Sequence, residues 1–368
     1  MLVFIHDNKI YRSKSELYSN GSLSAEIVKR HIQISSDISY ITRQSNGKLH
    51  TFIAGTRDLK WIPFKSKNFL RILKLLRKAD VVILRVPSFL SIVCFPFIKR
   101  RSLLVEVVGC SWDTFWNHSL YGKILAPALY IFQKIVVRNA SYTHYVTQRF
   151  LQERYPARAK ILLAQSDVVL SNKFYQKDHR PFESKNSHLV IGTIGAYNSA
   201  YKDFETLFKA LRLVLQKTNI NAELQLVGGG DETQLKSRAA EFGVSNSIVF
   251  KGSMAHEDVL SWLNSLDIYL HPSKAEGCPR SLIEALASNN TLCFGSDVGG
   301  IPELLPSSAL FPKGDFRRIA MFLESYSDRQ WRSNSLINQD KFFNIEEFKP
   351  DIIRNNYLSF YNQVLSEL

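Results

Sequence analysis

The sequence predicts an α/β protein of two domains, each built on a largely parallel sheet, and three observations predict it. At 368 residues the chain exceeds one average domain, so two of similar size are expected. From residue 189 onward, short apolar runs alternate with amphipathic segments in units of about 25 residues, the pattern of a parallel sheet covered on both faces. Between the halves lies "SNKFYQKDHRPFESKNSH" (171–188), polar, Pro-containing and without apolar periodicity, which marks the boundary.

In the first half, strands are expected at 3–6, 38–43, 81–86, 103–108 and 143–147, and helices at 22–33, 65–78, 120–139 and 148–154. The second half is more regular. "LVIGTIGA" (189–196) reads as a buried strand and "DFETLFKALRLVLQ" (203–216) as a helix with Leu207, Ala210, Leu211 and Val214 on one face. Further strands follow at 222–230, 247–252, 268–273 and 292–296, separated by helical segments. The expected organisation is a basic domain over 1–175, a second domain over 189–345, and a helix over 346–368 that crosses back to the first. The two domains are expected to face each other across a cleft, where the carboxyl ends of parallel strands place ligands.

An apolar fraction of 45% with 12% aromatics supplies packed cores and argues against disorder. The four cysteines form no CxxC pair, which argues against a zinc site or a disulfide framework. The N-terminus lacks the apolar core of a signal peptide and reads as a first strand. "PSFLSIVCFPFI" (87–98) is the nearest approach to a membrane span and is short and broken by Pro96, so no span is expected. The expected location is cytoplasmic, either free or peripheral to the membrane. Charge is uneven. Of the net +14, residues 1–175 hold 27 Lys and Arg against 10 Asp and Glu, and the remainder is slightly acidic. Such a basic half suits nucleic acid, phospholipid head groups or a pyrophosphate-linked substrate. No nucleic-acid recognition motif accompanies it.

The chemistry concentrates in "HPSKAEGCPRSLIEAL" (271–286). Pro279 suits a first helical turn. The free amides of Arg280 and Ser281 then point out of the helix start as an anion site. Glu276 precedes that helix and Glu284 lies about one turn inside it. Two hydroxyl acceptors flanking an anion site are what a nucleotide diphosphate-sugar requires. Two helix glutamates facing water are the competing explanation. "VGGGD" (227–231) and "GSDVGGIPELL" (295–305) end neighbouring strands in glycines, where a backbone approaches a ligand closely or simply turns. "KSKNFLRILKLLRK" (65–78) interleaves apolar and cationic residues at helical spacing, which suits either an anionic membrane surface or a core-facing helix with a solvated basic face.

Together, "HPSKAEGCPRSLIEALA", "VGGGD" and "VGGIPEL" resemble glycosyltransferase family 4, of the bacterial surface-polysaccharide type, with its Glu, seven residues, Glu signature. The resemblance covers roughly residues 189–310 and, before that, rests on architecture and on fragments such as "NGSLSAEI". It implies a GT-B fold of two Rossmann-like domains and retention of configuration. It implies catalytic roles for Lys202, matching the lysine that neutralises the leaving diphosphate, and for Glu276, which binds donor-sugar hydroxyls. Glu284 would take the ribose. Gly277, Cys278, Arg280, Ser281 and Lys274 complete that segment's donor contacts, with Gly195 and Asn198 after one strand and Gly228 and Gly229 after the next. Gly21 and Ser22 stand where the family keeps a glycine loop beside the phosphates, or else form a simple N-cap.

Two departures stand out. Ala196 follows Gly195 where the family usually carries an arginine, so a second cation must come from Lys274, Arg280 or elsewhere. "VGCSWDTFWNH" places Cys110, Ser111, Trp112 and Asp113 where a histidine is usual. Asp113 then suits either contact with an acceptor hydroxyl, as a third catalytic residue, or capping of the next helix. No Asp-x-Asp occurs, which fits a mechanism without a metal or other cofactor. The expected activity is transfer of a hexosyl or N-acetylhexosaminyl group from a nucleotide diphosphate-sugar to a glycan or lipid-pyrophosphate-linked acceptor. The rivals are a nucleotide-sugar 2-epimerase of the same architecture and a catalytically silent scaffold.

Overall fold

The computed structural model describes residues 1–19, 23–49, 51–117, 120–176, 188–288 and 291–368. Gly21, Ser22 and most of the polar boundary segment lie outside the described residues. The chain forms two compact units, one comprising Met1–Trp112, Leu125–Asp167 and Asp351–Leu368, the other Asp113–Ile124 and Val168–Pro350.

Among the described residues the first unit has nine strands: β1 (Leu2–Ser13), β2 (Glu16–Ser19), β3 (Ile38–Gln44), β4 (Thr51–Gly55), β5 (Lys60–Pro63), β6 (Val81–Val86), β7 (Leu103–Val107), β8 (Tyr142–Tyr145) and β9 (Ile161–Ala164). The first residues of β1 pair in parallel with β3 and β6, as in Phe4↔Tyr40 and Phe4↔Ile83, and β6 to β9 continue in parallel. β1 runs on to Ser13 because β2 folds back antiparallel on its second half. That extension reads poorly in sequence, since "DNKIYRS" mixes buried and exposed positions without a long apolar run.

β6 and β7 are buried throughout, yet each contains a charged residue, Arg85 and Glu106. Arg85 Nη1 donates to Glu106 Oε2 at 2.8 Å and Arg85 Nη2 pairs with Asp167. Burial alone would raise the Glu106 carboxyl. A hydrogen bond from His31 and the charge of Arg85 bring it down to about 2. The same cluster receives the C-terminal helix Pro350–Ser366. Tyr357 donates to Asp167 at 2.7 Å and Tyr361 to Glu106 at 3.4 Å, while Arg30 stacks 4.1 Å from the Tyr357 ring centre. Ile353, Phe360 and Val364 are buried on the same helix.

The second unit is a six-stranded parallel sheet: β10 (His188–Ile194), β11 (Asn221–Val227), β12 (Ile248–Gly252), β13 (Ile268–His271), β14 (Leu292–Ser296) and β15 (Leu310–Phe311). Its spatial order is β12-β11-β10-β13-β14-β15. This is the doubly wound order, in which the direction of winding reverses between β10 and β13. Phe208, Leu211 and Val214 of the helix Phe204–Lys217 pack into its core with Leu224, Ile268 and Leu282.

One expectation is overturned. The longest apolar element is not 87–98 but the helix Leu120–Asn139, which is long and apolar enough by length and composition to cross a membrane. Lys123, Pro127, Lys134 and Arg138 break its apolar run and disguise it in the sequence. Only 28% of its apolar window is buried, and Leu120, Tyr121 and Ile124 are all largely exposed. It buries one face, with Ala126, Val136 and Val137, and exposes the other.

Candidate active site

The winding reversal sets β10 beside β13, with Ile191 paired to Ile268, so the loops leaving their carboxyl ends emerge together. The β10 loop turns through a single 3-10 turn at Ala200–Lys202 and enters its helix through Asp203, held left-handed at φ 46°. The β13 loop runs from Pro272 to Pro279. Lys202 Nζ donates to Glu276 Oε1 at 2.6 Å, bringing together two residues 74 positions apart.

Glu276 is held from three sides. His271 Nε2 lies 3.0 Å from the same Oε1, and the Ser273 hydroxyl donates to it at 2.8 Å. Among the described residues, all these donors reach Oε1, which leaves Oε2 to accept from outside. Burial pushes the Glu276 carboxyl up, but the Lys202 charge and the His271 hydrogen bond outweigh it and hold the group well below the usual range. His271, itself pushed down chiefly by burial and then by Lys202, stays neutral at neutral pH. His271 and Ser273 lie within the stretch singled out in the sequence, yet their partnership with Glu276 has no sequence signal beyond proximity.

A second clamp joins the loops. The Lys274 amide donates to the Tyr201 carbonyl at 2.7 Å, and Lys274 Nζ pairs with Asp203 Oδ1 at 2.8 Å. Asp203 also accepts from Thr206 at 2.8 Å. Lys274 therefore fixes the turn that presents Lys202, with its charge already matched by Asp203. Sequence reasoning missed Asp203, whose only signal was its place ahead of the helix.

Glycines make these approaches sterically open. A Cβ on Gly228 would lie 1.9 Å from the Gly195 carbonyl oxygen, so the β10 and β11 loops touch backbone to backbone. A Cβ on Gly299, at φ 60°, would lie 2.1 Å from the Glu276 carbonyl, and the Gly300 amide donates to Gly277 at 3.0 Å. The "VGGIPE" turn thus buttresses the loop bearing Glu276. Gly229 faces Ser253, and Asn198 lies against Gly230.

The helix after the loop is short, Arg280–Leu286, with Pro279 as its N-cap rather than its first residue. Glu284 is buried, and among the described residues its Oε1 has no hydrogen-bond partner. His256 and Arg280 stand 3.7 and 3.8 Å from that oxygen. Burial lifts the Glu284 carboxyl to about 7, with Arg280 offsetting part of the rise. His256, from the helix after β12, is a neighbour that the sequence did not announce. The Ser281 hydroxyl is engaged with Tyr269. Cys278 is half-buried and not in a disulfide.

The candidates of the segment Cys110–Asp113 have local partners. Cys110 Sγ lies 3.2 Å from the Tyr155 hydroxyl, and the Ser111 amide donates to Gln133 at 3.0 Å. Asp113 sits in the first turn of the helix Ser111–Trp116, where its carbonyl accepts from Asn117. Asn117 in turn approaches the Lys274 carbonyl at 3.5 Å.

Residues 188–325 match the family model described as glycosyl transferases group 1. Protein CapJ of Staphylococcus aureus is 29% identical over 393 aligned residues, spanning 100% of this chain and 97% of CapJ. The amylovoran biosynthesis glycosyltransferase AmsK of Erwinia amylovora is 33% identical over 111 residues, 27% of each chain. Anabaena Alr3699/HepE, solved with UDP and glucose, matches with a TM-score of 0.66 at 15% identity over 100% of both chains. Together the comparisons show a glycosyltransferase of GT-B fold, of which residues 188–325 are similar to the group 1 family model.

Proposed function

We propose that this enzyme is a retaining, metal-independent glycosyltransferase of family 4, with Glu276 and Glu284 as its signature pair. It moves a sugar from a nucleotide diphosphate-sugar to a glycan or lipid-linked acceptor in surface polysaccharide biosynthesis, at an anionic membrane surface. The observation that supports this most is the Lys202–Glu276 contact of 2.6 Å at the winding reversal of the second sheet. A ligand placed there meets a fixed cation and a fixed carboxylate side by side.

In this reading Lys202 leaves Glu276 for the β-phosphate when donor binds, and Glu276 turns to the sugar hydroxyls. As the bond from sugar C1 to the β-phosphate oxygen breaks, negative charge grows on the phosphate and Lys202 stabilises it. The acceptor hydroxyl adds to C1 on the same face and passes its proton to the departing phosphate, so configuration is retained. The buried Glu284 carboxylate, with an oxygen unmatched by protein donors, accepts from the ribose hydroxyls. The amides of Arg280 and Ser281 face the diphosphate. Asp113 is assigned to the acceptor side. UDP is the first base to test, because the similar fold of Alr3699/HepE was solved with UDP-glucose.

A thermal-shift screen against UDP-, GDP-, ADP- and dTDP-sugars identifies the donor, since a ligand of the folded state raises Tm. With that donor, Lys202→Ala and Glu284→Ala are expected to cut transfer by roughly 100-fold or more. NMR of the product anomer should show retention, and activity should survive EDTA. Near-normal turnover in both variants overturns the assignment.

A further inference from the structure

We propose that the first unit docks on an anionic phospholipid bilayer through one surface built by three elements: the helix Phe69–Lys78, the segment Phe89–Phe97 and the helix Leu120–Asn139 from Leu125 onward. The inference rests on the membrane-facing part of the function proposed above and names the residues that carry it. Two aromatic contacts join the elements side by side. The Phe69 ring meets Phe97 edge-on at 6.0 Å, and Phe95 meets Phe132 edge-on at 5.8 Å.

Each element buries one face in the unit and exposes apolar side chains on the other. Ile72 and Leu76 are buried on the first, Leu90 and Cys94 on the second, and Ala126, Val136 and Val137 on the third. Outward stand Leu70, 74% exposed, Ile131, 58% exposed, and Val93, Phe97, Leu125 and Ile135. Six large apolar side chains on adjoining elements are more than isolated surface hydrophobes.

The surrounding charge selects the occupant. Arg71, Lys74 and Lys78 line the first helix, Lys99, Arg100 and Arg101 follow the second segment, and Lys134 and Arg138 belong to the third. All are exposed. Between residues 59 and 105 the only acid is Asp80, which pairs with the N-terminal amine at 2.6 Å, and residues 114–152 contain none. Two copies of such a surface repel each other. An anionic bilayer satisfies both features, because its phosphates pair with the cations while the apolar tips enter the interface. The helix Leu120–Asn139 lies on this surface and does not traverse the bilayer, since Gln133 is buried and donates to the Gly109 carbonyl at 2.9 Å.

The test is co-sedimentation of the full chain with vesicles of phosphatidylcholine alone and of phosphatidylcholine mixed with phosphatidylglycerol. The wild type is expected to pellet with the mixed vesicles only, and less as salt rises. The double variants Ile131→Asp/Ile135→Asp and Arg71→Glu/Lys74→Glu should each lower the partition coefficient roughly tenfold or more. Their melting temperature and their thermal shift with nucleotide should match the wild type, because every altered side chain is exposed and outside the donor site. A wild type that stays in the supernatant, variants that bind unchanged, or a wild-type dimer that the variants dissociate, would each overturn the proposal. The thermal shift reports separately on the donor reading, so the two fail independently.

Discussion

Glu284 combines burial with an unmatched carboxylate oxygen, a costly arrangement in the ligand-free protein. Its folded pKa of about 7 stands above the ordinary 4.5, so the native state keeps a proton that the unfolded chain has lost. This contribution to stability is complete below about pH 4.5 and disappears as the pH rises through about 7. Relative to Glu284→Gln, the wild type should therefore lose on the order of 1–2 kcal/mol of stability between pH 6 and pH 8. Differential scanning calorimetry at both pH values checks this. In the ribose-binding role proposed for Glu284, hydroxyl donors favour the carboxylate, so donor affinity should rise with pH and level off above about 7, a trend that Glu284→Gln flattens in calorimetric titration.

Among the elements, the loops after β10, β11, β13 and β14 brace one another through bare backbone. Gly228→Ala would force its Cβ into the Gly195 carbonyl, a clash that no rotamer relieves. It is expected to destabilise the second unit by about 1–3 kcal/mol and to weaken nucleotide binding, because the turn bearing Lys202 moves with Gly195. Urea denaturation and the nucleotide thermal shift measure both effects. The glycine clusters were visible in the sequence as turns at strand ends. The sequence did not reveal that Gly228 and Gly299 serve other loops of the same chain rather than open space for a ligand, because that depends on which strands are neighbours. Strand bounds were legible where runs are mostly apolar and buried throughout, as at Val81–Val86 and Leu292–Ser296. They were not at β2, β4, β5 and β9, where short, half-exposed strands carry little apolar signal.

Across the molecule, the two units differ in what holds them together. The second is an apolar doubly wound core. The first buries ions, and its stability must respond to acid. Burial keeps His144 below the ordinary histidine value of 6.5, and Glu106 is lowered from 4.5 to about 2. Both depressed groups contribute stability that is present above their unfolded values and lost as pH falls, first through the histidine range and then from about 4.5 toward 2. Arg85→Met leaves Glu106 and Asp167 without their shared cation and should cost about 3–5 kcal/mol. Tryptophan fluorescence through urea titrations at pH 7 and about pH 3 would register both effects, with the acid effect larger in the wild type than in Arg85→Met.

By itself the sequence determined the local parts of this protein. Strand and helix alternation follows from apolar periodicity, the glycine- and proline-marked turns at strand ends from residue type, and the basic first half from composition. These are properties of neighbouring residues, and neighbouring residues are what a sequence displays. Only the tertiary structure decided what met what. Lys202 reaches Glu276 because the sheet reverses its winding between β10 and β13. Arg85 and Glu106 are tolerable in buried strands because Asp167 and the C-terminal helix come to meet them. The helix Leu120–Asn139 stands out only once its outward face is known. Such contacts join residues tens to hundreds of positions apart, and their energies depend on burial and distance, which no single stretch of sequence specifies.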